Sequence, residues 1–333
     1  MSDAETVRRA ERLPAALVMH PDCARHDTGW NHPEHQGRLP AIVQALYQDT
    51  PALLDHIIQH EATPATRLQL QRVHTAQLIA RVHDAAAEAA AAAALVHLDA
   101  DTVVSPASWD AAIASAGCAI DAVSLVMTGR AQTAFAVCRP PGHHATRDRA
   151  MGFCLFNNIA VAARAAQAEH AIERVLIVDW DVHHGNGTQD IFYDDESVYY
   201  LSLHLGNHYP GTGAEHERGV GAGQGHTLNV PLEPGTPAAE YIAHFEAAVA
   251  QAFSDAAPEL VLVSAGFDCL LGDPLGGLNL EPSHLHHMTR SILQHAAATA
   301  DGRVVAALEG GYVPRRVGAG VVATLRALAG IDY

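Results

Sequence analysis

Short, almost wholly apolar runs alternate along this chain with alanine-rich stretches of helical spacing. The runs at 15–19, 134–138, 175–178, 198–203, 227–230, 260–264 and 304–308 read as strands. Several are apolar at every position, as expected of strands covered on both faces of a parallel sheet. Residues 76–95, 108–127, 159–169, 238–253 and 282–300 carry the helical periodicity between them. Strands alternating with helices from end to end predict an α/β fold built on one doubly covered parallel sheet. No repeat and no Pro-, Gly- or Ser-rich linker divides the 333 residues, so a single domain over 1–333 is expected. The Gly-rich stretch 211–225 lies between two strands and reads as a surface loop beside a site.

Composition narrows the function classes. Twenty basic against 37 acidic residues leave a net charge of −17, which argues against wrapping a nucleic acid or an anionic membrane. Every basic residue is arginine, so Schiff-base chemistry and a phosphate-loop lysine are excluded. Cys23, Cys118, Cys138, Cys154 and Cys269 form no CxxC pair, which suits a reducing, cytoplasmic setting. The opening MSDAETVRRAERL has no apolar signal core, and the longest apolar stretch, 89–96, is far short of the ~20 residues that span a membrane. A soluble cytoplasmic protein is expected. Absent lysine with abundant Ala and Arg also hints at a GC-rich bacterial genome.

Ligands of such sheets bind beyond the carboxyl ends of the strands, and the polar clusters stand there. Run 134–138 leads into Arg139-Pro-Pro-Gly-His143-His144, and 175–178 into Asp179-Trp-Asp181-Val-His183-His184-Gly-Asn186. Run 260–264 leads to Gly266-Phe-Asp268, and 304–308 to Glu309-Gly-Gly-Tyr312. In an extended chain Asp179, Asp181 and His183 point to one side. Asp181 and His183 could grip one ion, with Asp268 from another strand as third ligand. Two carboxylates, one imidazole and an open position suit catalytic Zn²⁺, and Fe²⁺ or Co²⁺ accept the same set. Asp179 is then free to orient an imidazole. The paired His143 and His144 suit a site where one removes a proton from an activated water and the other stabilises charge. The Tyr312 hydroxyl could donate to a carbonyl oxygen that becomes an oxyanion.

RPPGHH, GFCLFNN, DWDVHHGNGTQ, YPGTG, SAGFD, GDPLGG and LEGGY together resemble the zinc-dependent histone deacetylase family. The wording is closest to its class II and bacterial branch, which includes histone deacetylase-like and acetylpolyamine amidohydrolases. The likeness runs from about His20 to Leu328. It implies the arginase/deacetylase fold, an eight-stranded parallel sheet with helices on both faces.

Residue by residue, the resemblance places the metal ligands on Asp181, His183 and Asp268. It makes His144 the general base and then acid, with Asp179 behind His143 and Asn186 behind His144. Tyr312 becomes the carbonyl-polarising phenol. Phe153 and Tyr209 become the tunnel walls, the carbonyl of Gly152 the acceptor for the substrate amide, and Asp101 the clamp at the rim. Arg38 matches an arginine near the acetate-release cavity. Structural K⁺ is implied near Asp179, Asp181, His183, Ser202 and Leu203, with a second ion near Phe192, Asp195 and Val198.

Two departures from the family stand out. Asn186 replaces an aspartate found in some members, which predicts a lower pKa for His144. The segment between His204 and Pro210 is compact, which predicts an open tunnel mouth. Within Gly272-Asp273-Pro274-Leu275-Gly276, Leu275 takes the place of the glutamate that gates polyamine-selective relatives. The expected partner is therefore an acetylated lysine peptide or a small acylated amine, with acetylpolyamines as the alternative and a homo-oligomer left open. Two rivals share the sequence pattern: a dinuclear manganese hydrolase of the arginase type, and a non-catalytic acyl-lysine reader.

Overall fold

The computed structural model describes residues 13–333. Apart from Leu13, the charged opening segment therefore lies outside the described residues. The long strands are β1 (Ala15–Met19), β2 (Ile57–Glu61), β5 (Thr133–Ala136), β6 (Val175–Asp179), β7 (Val198–Leu205), β8 (Thr227–Leu232), β9 (Leu260–Ala265) and β10 (Val304–Leu308). They form one sheet of eight in the order β2-β1-β5-β10-β9-β6-β7-β8. Every neighbouring pair is parallel. The short β3 (Val96–His97) and β4 (Val103–Val104) form a small antiparallel pair.

The central strands β5, β6, β9 and β10 are buried at every position, which is why they read as unbroken apolar runs. Two sets of helices cover the sheet. Ser108–Met127 packs on Asn158–His170, while Arg38–Leu53, Pro314–Ala329, Pro282–Thr299 and Ala238–Ala256 pack in succession.

The seven strands read from periodicity are all present, and the eighth is β2. Its segment, Ile-Ile-Gln-His-Glu, is only half covered at the sheet edge and has no continuous apolar signal. The second run stops short of its predicted end: the Val137 N–H makes the last bond to β1, at Val18 O, and the chain then turns toward the paired histidines. Two long helices lie outside the segments read as helical. Arg38–Leu53 contains Pro51, and Pro314–Ala329 contains Gly318 and Gly320. The glycines let that helix lie close to its neighbours: a Cβ at Gly318 would meet the Ala41 carbonyl at 2.7 Å.

The four strands that end in polar text are consecutive in the sheet, β5-β10-β9-β6. Their carboxyl ends therefore converge on one spot at the middle of the sheet edge.

Candidate metal centre and active site

Ligand atoms of Asp181, His183 and Asp268 all lie within 4.8 Å of one another, and all three side chains are buried. Backbone amides hold both carboxylates, and Asp181 Oδ1 also accepts the His183 N–H at 2.9 Å. The Gly310 N–H donates to Asp181 Oδ2 at 2.9 Å, and the Val182 N–H to Asp268 Oδ1 at 2.9 Å. Asp268 Oδ2 has no hydrogen-bond donor although it is buried. It lies 3.3 Å from His183 Nδ1. A buried carboxylate oxygen without a donor is costly unless a cation completes it.

The electrostatics agree. Burial, with Asp181 close by, pushes the Asp268 carboxyl up to about 7. Burial also opposes the charge on Asp181, yet the imidazoles of His143 and His183 hold that carboxyl far below its ordinary value. His183 is raised to about 10: desolvation works against the charged ring, and Asp181 and Asp268 outweigh it. Two carboxylate oxygens and one imidazole nitrogen thus fit a divalent cation. Gly310 leaves room for this cradle, since a Cβ there would overlap the Asp268 carboxylate.

The turn after β5 brings the paired histidines beside the cradle. The His143 Nδ1–H donates to Asp179 Oδ2 at 3.0 Å, and the His144 Nδ1–H to Asn186 Oδ1 at 2.8 Å. Burial opposes protonation of His143, but Asp181 and Asp179 raise it to about 10. His144 goes the other way, held well below its ordinary value by burial and then by the charges of His143 and His183. Asp179 is buried at the end of β6, and its Oδ2 also accepts the Tyr200 hydroxyl at 3.0 Å.

Above these groups the walls of a slot assemble. Tyr209, 37% exposed, stands edge-on to His144 with ring centroids 5.0 Å apart. Phe153 meets Tyr312 edge-on at 5.8 Å. Gly152 and Phe153 both take positive φ, +55° and +68°, and a Cβ at Gly152 would come within 2.5 Å of the His144 ring. Only glycine permits that approach. Burial beside Asp268 and Asp181 raises the Tyr312 phenol well above its usual value, so it stays a donor.

The other expected residues fall at various depths. Asp101 is half-buried near the rim, where its carbonyl oxygen is 3.0 Å from His32 Nε2. Leu275 is half-buried on the loop after Asp268. Arg38 is not at the slot mouth. It is fully buried, its guanidinium 5.5 Å from the Tyr312 ring centroid, with donors engaged by Gly311 O, Glu309 O and Glu34 Oε1. Ser202 pairs in register with Asp179 across β7 and β6, placing it and Leu203 beside Asp179, Asp181 and His183. Phe192 ends a short helix and Val198 starts β7. The Asp195 side chain between them accepts from Ser197 and Arg164.

Three contributors carry no local sequence signal for their roles. The buried Glu309 carboxylate accepts the amides of Gly142 at 2.6 Å and His143 at 3.2 Å, so it sets the histidine-bearing turn. Its position after an apolar strand marks it as site-directed, but its partners lie 167 and 166 residues away. His208 stacks on His183 with centroids 5.1 Å and planes 19° apart. Asp273 accepts the Tyr312 amide at 2.6 Å.

Residues 32–328 match the histone deacetylase domain family. Histone deacetylase 15 of Arabidopsis thaliana is 41% identical over 303 residues, covering 90% of this chain and 53% of the plant protein. The chain thus spans about half the length of that relative. A histone deacetylase-like amidohydrolase of Pseudomonas aeruginosa is 38% identical over 300 residues, covering 90% of this chain and 76% of its own. The crystal structure of the HDA15 HD domain superposes with a TM-score of 0.88 at 37% identity, covering 96% of this chain and 89% of that one. Sequence, sheet topology and donor set thus converge: the chain belongs to the histone deacetylase family.

Proposed function

We propose that this protein is a zinc-dependent amidohydrolase that removes acetyl groups from lysine ε-amines and releases acetate. One observation carries the reading: a neutral imidazole, His144, and a protonated phenol, Tyr312, flank the Asp181–His183–Asp268 donor set at the foot of an aromatic slot. Zinc held by these three side chains would supply Lewis acidity, polarising a carbonyl and lowering the pKa of water.

The chain's own groups do the rest. His144 Nε2 takes the proton of the attacking water, because its Nδ1–H is committed to Asn186. The tetrahedral oxygen receives the Tyr312 hydroxyl hydrogen bond. His144 then returns the proton to the leaving amine, while His143, paired with Asp179, keeps a positive charge nearby. Phe153 and Tyr209 shield the acyl-lysine stem from water, and the Gly152 carbonyl accepts the substrate amide N–H.

Leu275 favours a peptide lysine over an acetylpolyamine, whose extra cation would want an acid at the gate. Asp101 and the net charge of −17 leave acetylpolyamines and other small acylated amines as the second reading. Of the residues proposed to bind K⁺, Ser202 pairs with Asp179 beside the cradle, whereas Phe192, Asp195 and Val198 lie toward the opposite end of β7. The five buried free thiols support a reducing cytoplasm.

A fluorogenic acetyl-lysine assay with and without a hydroxamate chelator, run beside metal analysis, tests the chemistry. One zinc per chain and chelator-sensitive turnover are expected. Two ions per chain would favour the dinuclear manganese rival, and ligand binding without turnover the non-catalytic reader. A large kcat/KM advantage for acetylpolyamines would overturn the choice of lysine.

A further inference from the structure

The peptide unit joining Gly311 to Tyr312 is held from both sides by charged groups. Its carbonyl oxygen accepts from Arg38 Nε at 2.7 Å, and its N–H donates to Asp273 Oδ2 at 2.6 Å. A cation on the oxygen and an anion on the N–H both reinforce the peptide dipole, and bonds to charged groups are roughly twice as strong as neutral ones. This clamp sits where the backbone most needs one. Gly311 has φ +114°, a region open to glycine, so no side chain restrains the turn that aims the phenol.

Asp273 also ties the gate. Its other oxygen, Oδ1, accepts the Leu275 N–H at 3.0 Å. The Leu275 carbonyl in turn accepts from His208 Nε2 at 3.0 Å, and His208 stacks on the cradle residue His183. A strap of hydrogen bonds, closed by one ring stack, therefore runs from the phenol's backbone through the gate loop to His183.

We propose that Asp273 is a positioning residue that, with Arg38, fixes the Gly311–Tyr312 peptide and thereby couples the gate at Leu275 to the phenol of Tyr312. The proposal rests on the deacetylase reading for what the phenol does, but the clamp can be observed without turnover. A reversed peptide plane would lose both charged partners and carry Tyr312 off the slot. Misplacement of this kind acts on turnover more than on binding.

The test uses the zinc-loaded full chain labelled with ¹⁵N-tyrosine, the Tyr312 amide being assigned by its disappearance in Y312F. The wild-type amide proton is expected far downfield, as for a short bond to a carboxylate, and in D273N it moves upfield. D273N should also lower kcat about ten- to a hundredfold, with KM for an acetyl-lysine peptide within about threefold. Coupling to the gate is read by adding L275E to each background. The change it makes in the ratio of peptide to acetylspermidine turnover should be larger with Asp273 in place than without it.

A raised KM with unchanged kcat in D273N overturns the positioning role. Equal L275E effects in the two backgrounds overturn the coupling. Should D273N fail to fold, the wild-type resonance still decides: a Tyr312 amide proton at an ordinary resonance position means no clamp. A folded, zinc-loaded wild type that hydrolyses no acyl amide would instead remove the deacetylase reading and leave the resonance test standing.

Discussion

His143 and His144 are adjacent in the chain, with ring centroids 4.0 Å apart, and they occupy opposite electrostatic settings. Both donate Nδ1–H to an oxygen at nearly equal distance, 3.0 Å and 2.8 Å. The oxygen belongs to an anion, Asp179, in one case and to a neutral amide, Asn186, in the other. His143 lies on the cradle side, where Asp181 and Asp179 hold it charged, and His144 on the slot side, where burial holds it neutral. Negative charge is thus gathered around the Asp181–His183–Asp268 donor set and withheld from the partner of His144. Equal geometry with unequal charge is what the proposed function asks of two identical side chains, one to stabilise charge and one to act as base.

The largest effects should come from breaking the cradle side. D268N replaces the one carboxylate of the cradle that keeps a buried oxygen without a donor, and the chain should then lose zinc on dialysis and its activity with it. Metal analysis after dialysis checks this: full retention of zinc would show that the acid is not a ligand. Next is the base. H144A should lower kcat by about 10²–10⁴ at neutral pH with zinc still bound, and H143A by less, because His143 moves no proton. If H143A proves the more damaging of the two, the assignment of roles is reversed. Y312F should follow, with kcat down by about 10²–10³ and zinc content unchanged, since only the oxyanion donor is lost. Turnover at the wild-type rate would show that the phenol is not that donor.

Visibility in the sequence follows the same division. β6, β9 and β10 are buried at every position, so burial itself wrote the apolar runs, and the acids and imidazoles follow where those runs stop. The edge strand β2 is half solvated, and its pairing with β1 rather than its composition makes it a strand. The Pro314–Ala329 helix keeps an amphipathic spacing, with Val317, Val321, Leu325 and Leu328 buried, but Gly318 and Gly320 lower its helix propensity and mask it. Within the site, Asp181, His183 and the paired histidines are readable because they stand close together in the chain, and Asp268 because it follows its own apolar run. Arg38 is readable only as a matched position. Its burial behind Tyr312, opposite Asp273 across one peptide, joins residues far apart in the chain. Hydrogen bonds of that span are products of the fold, and spacing cannot disclose them.

The smallest expected effect is also the most direct probe of the charge division. N186D places an anion where the neutral acceptor now lies 2.8 Å from His144 Nδ1, leaving the hydrogen bond itself in place. An opposite charge at that range favours the imidazolium and raises its pKa by about one or more. A base must be unprotonated to act, so the acidic limb of the kcat/KM profile should move to higher pH by the same amount. Below the limb the variant loses activity roughly tenfold for each pH step of one that the limb has moved, while on the alkaline plateau its rate should stay within about threefold of wild type. A Tyr312 or cradle defect would lower the plateau instead, so the two are told apart in one titration. A limb that does not move would belong to some group other than His144, and the neutrality of its partner would then have no part in the choice of base.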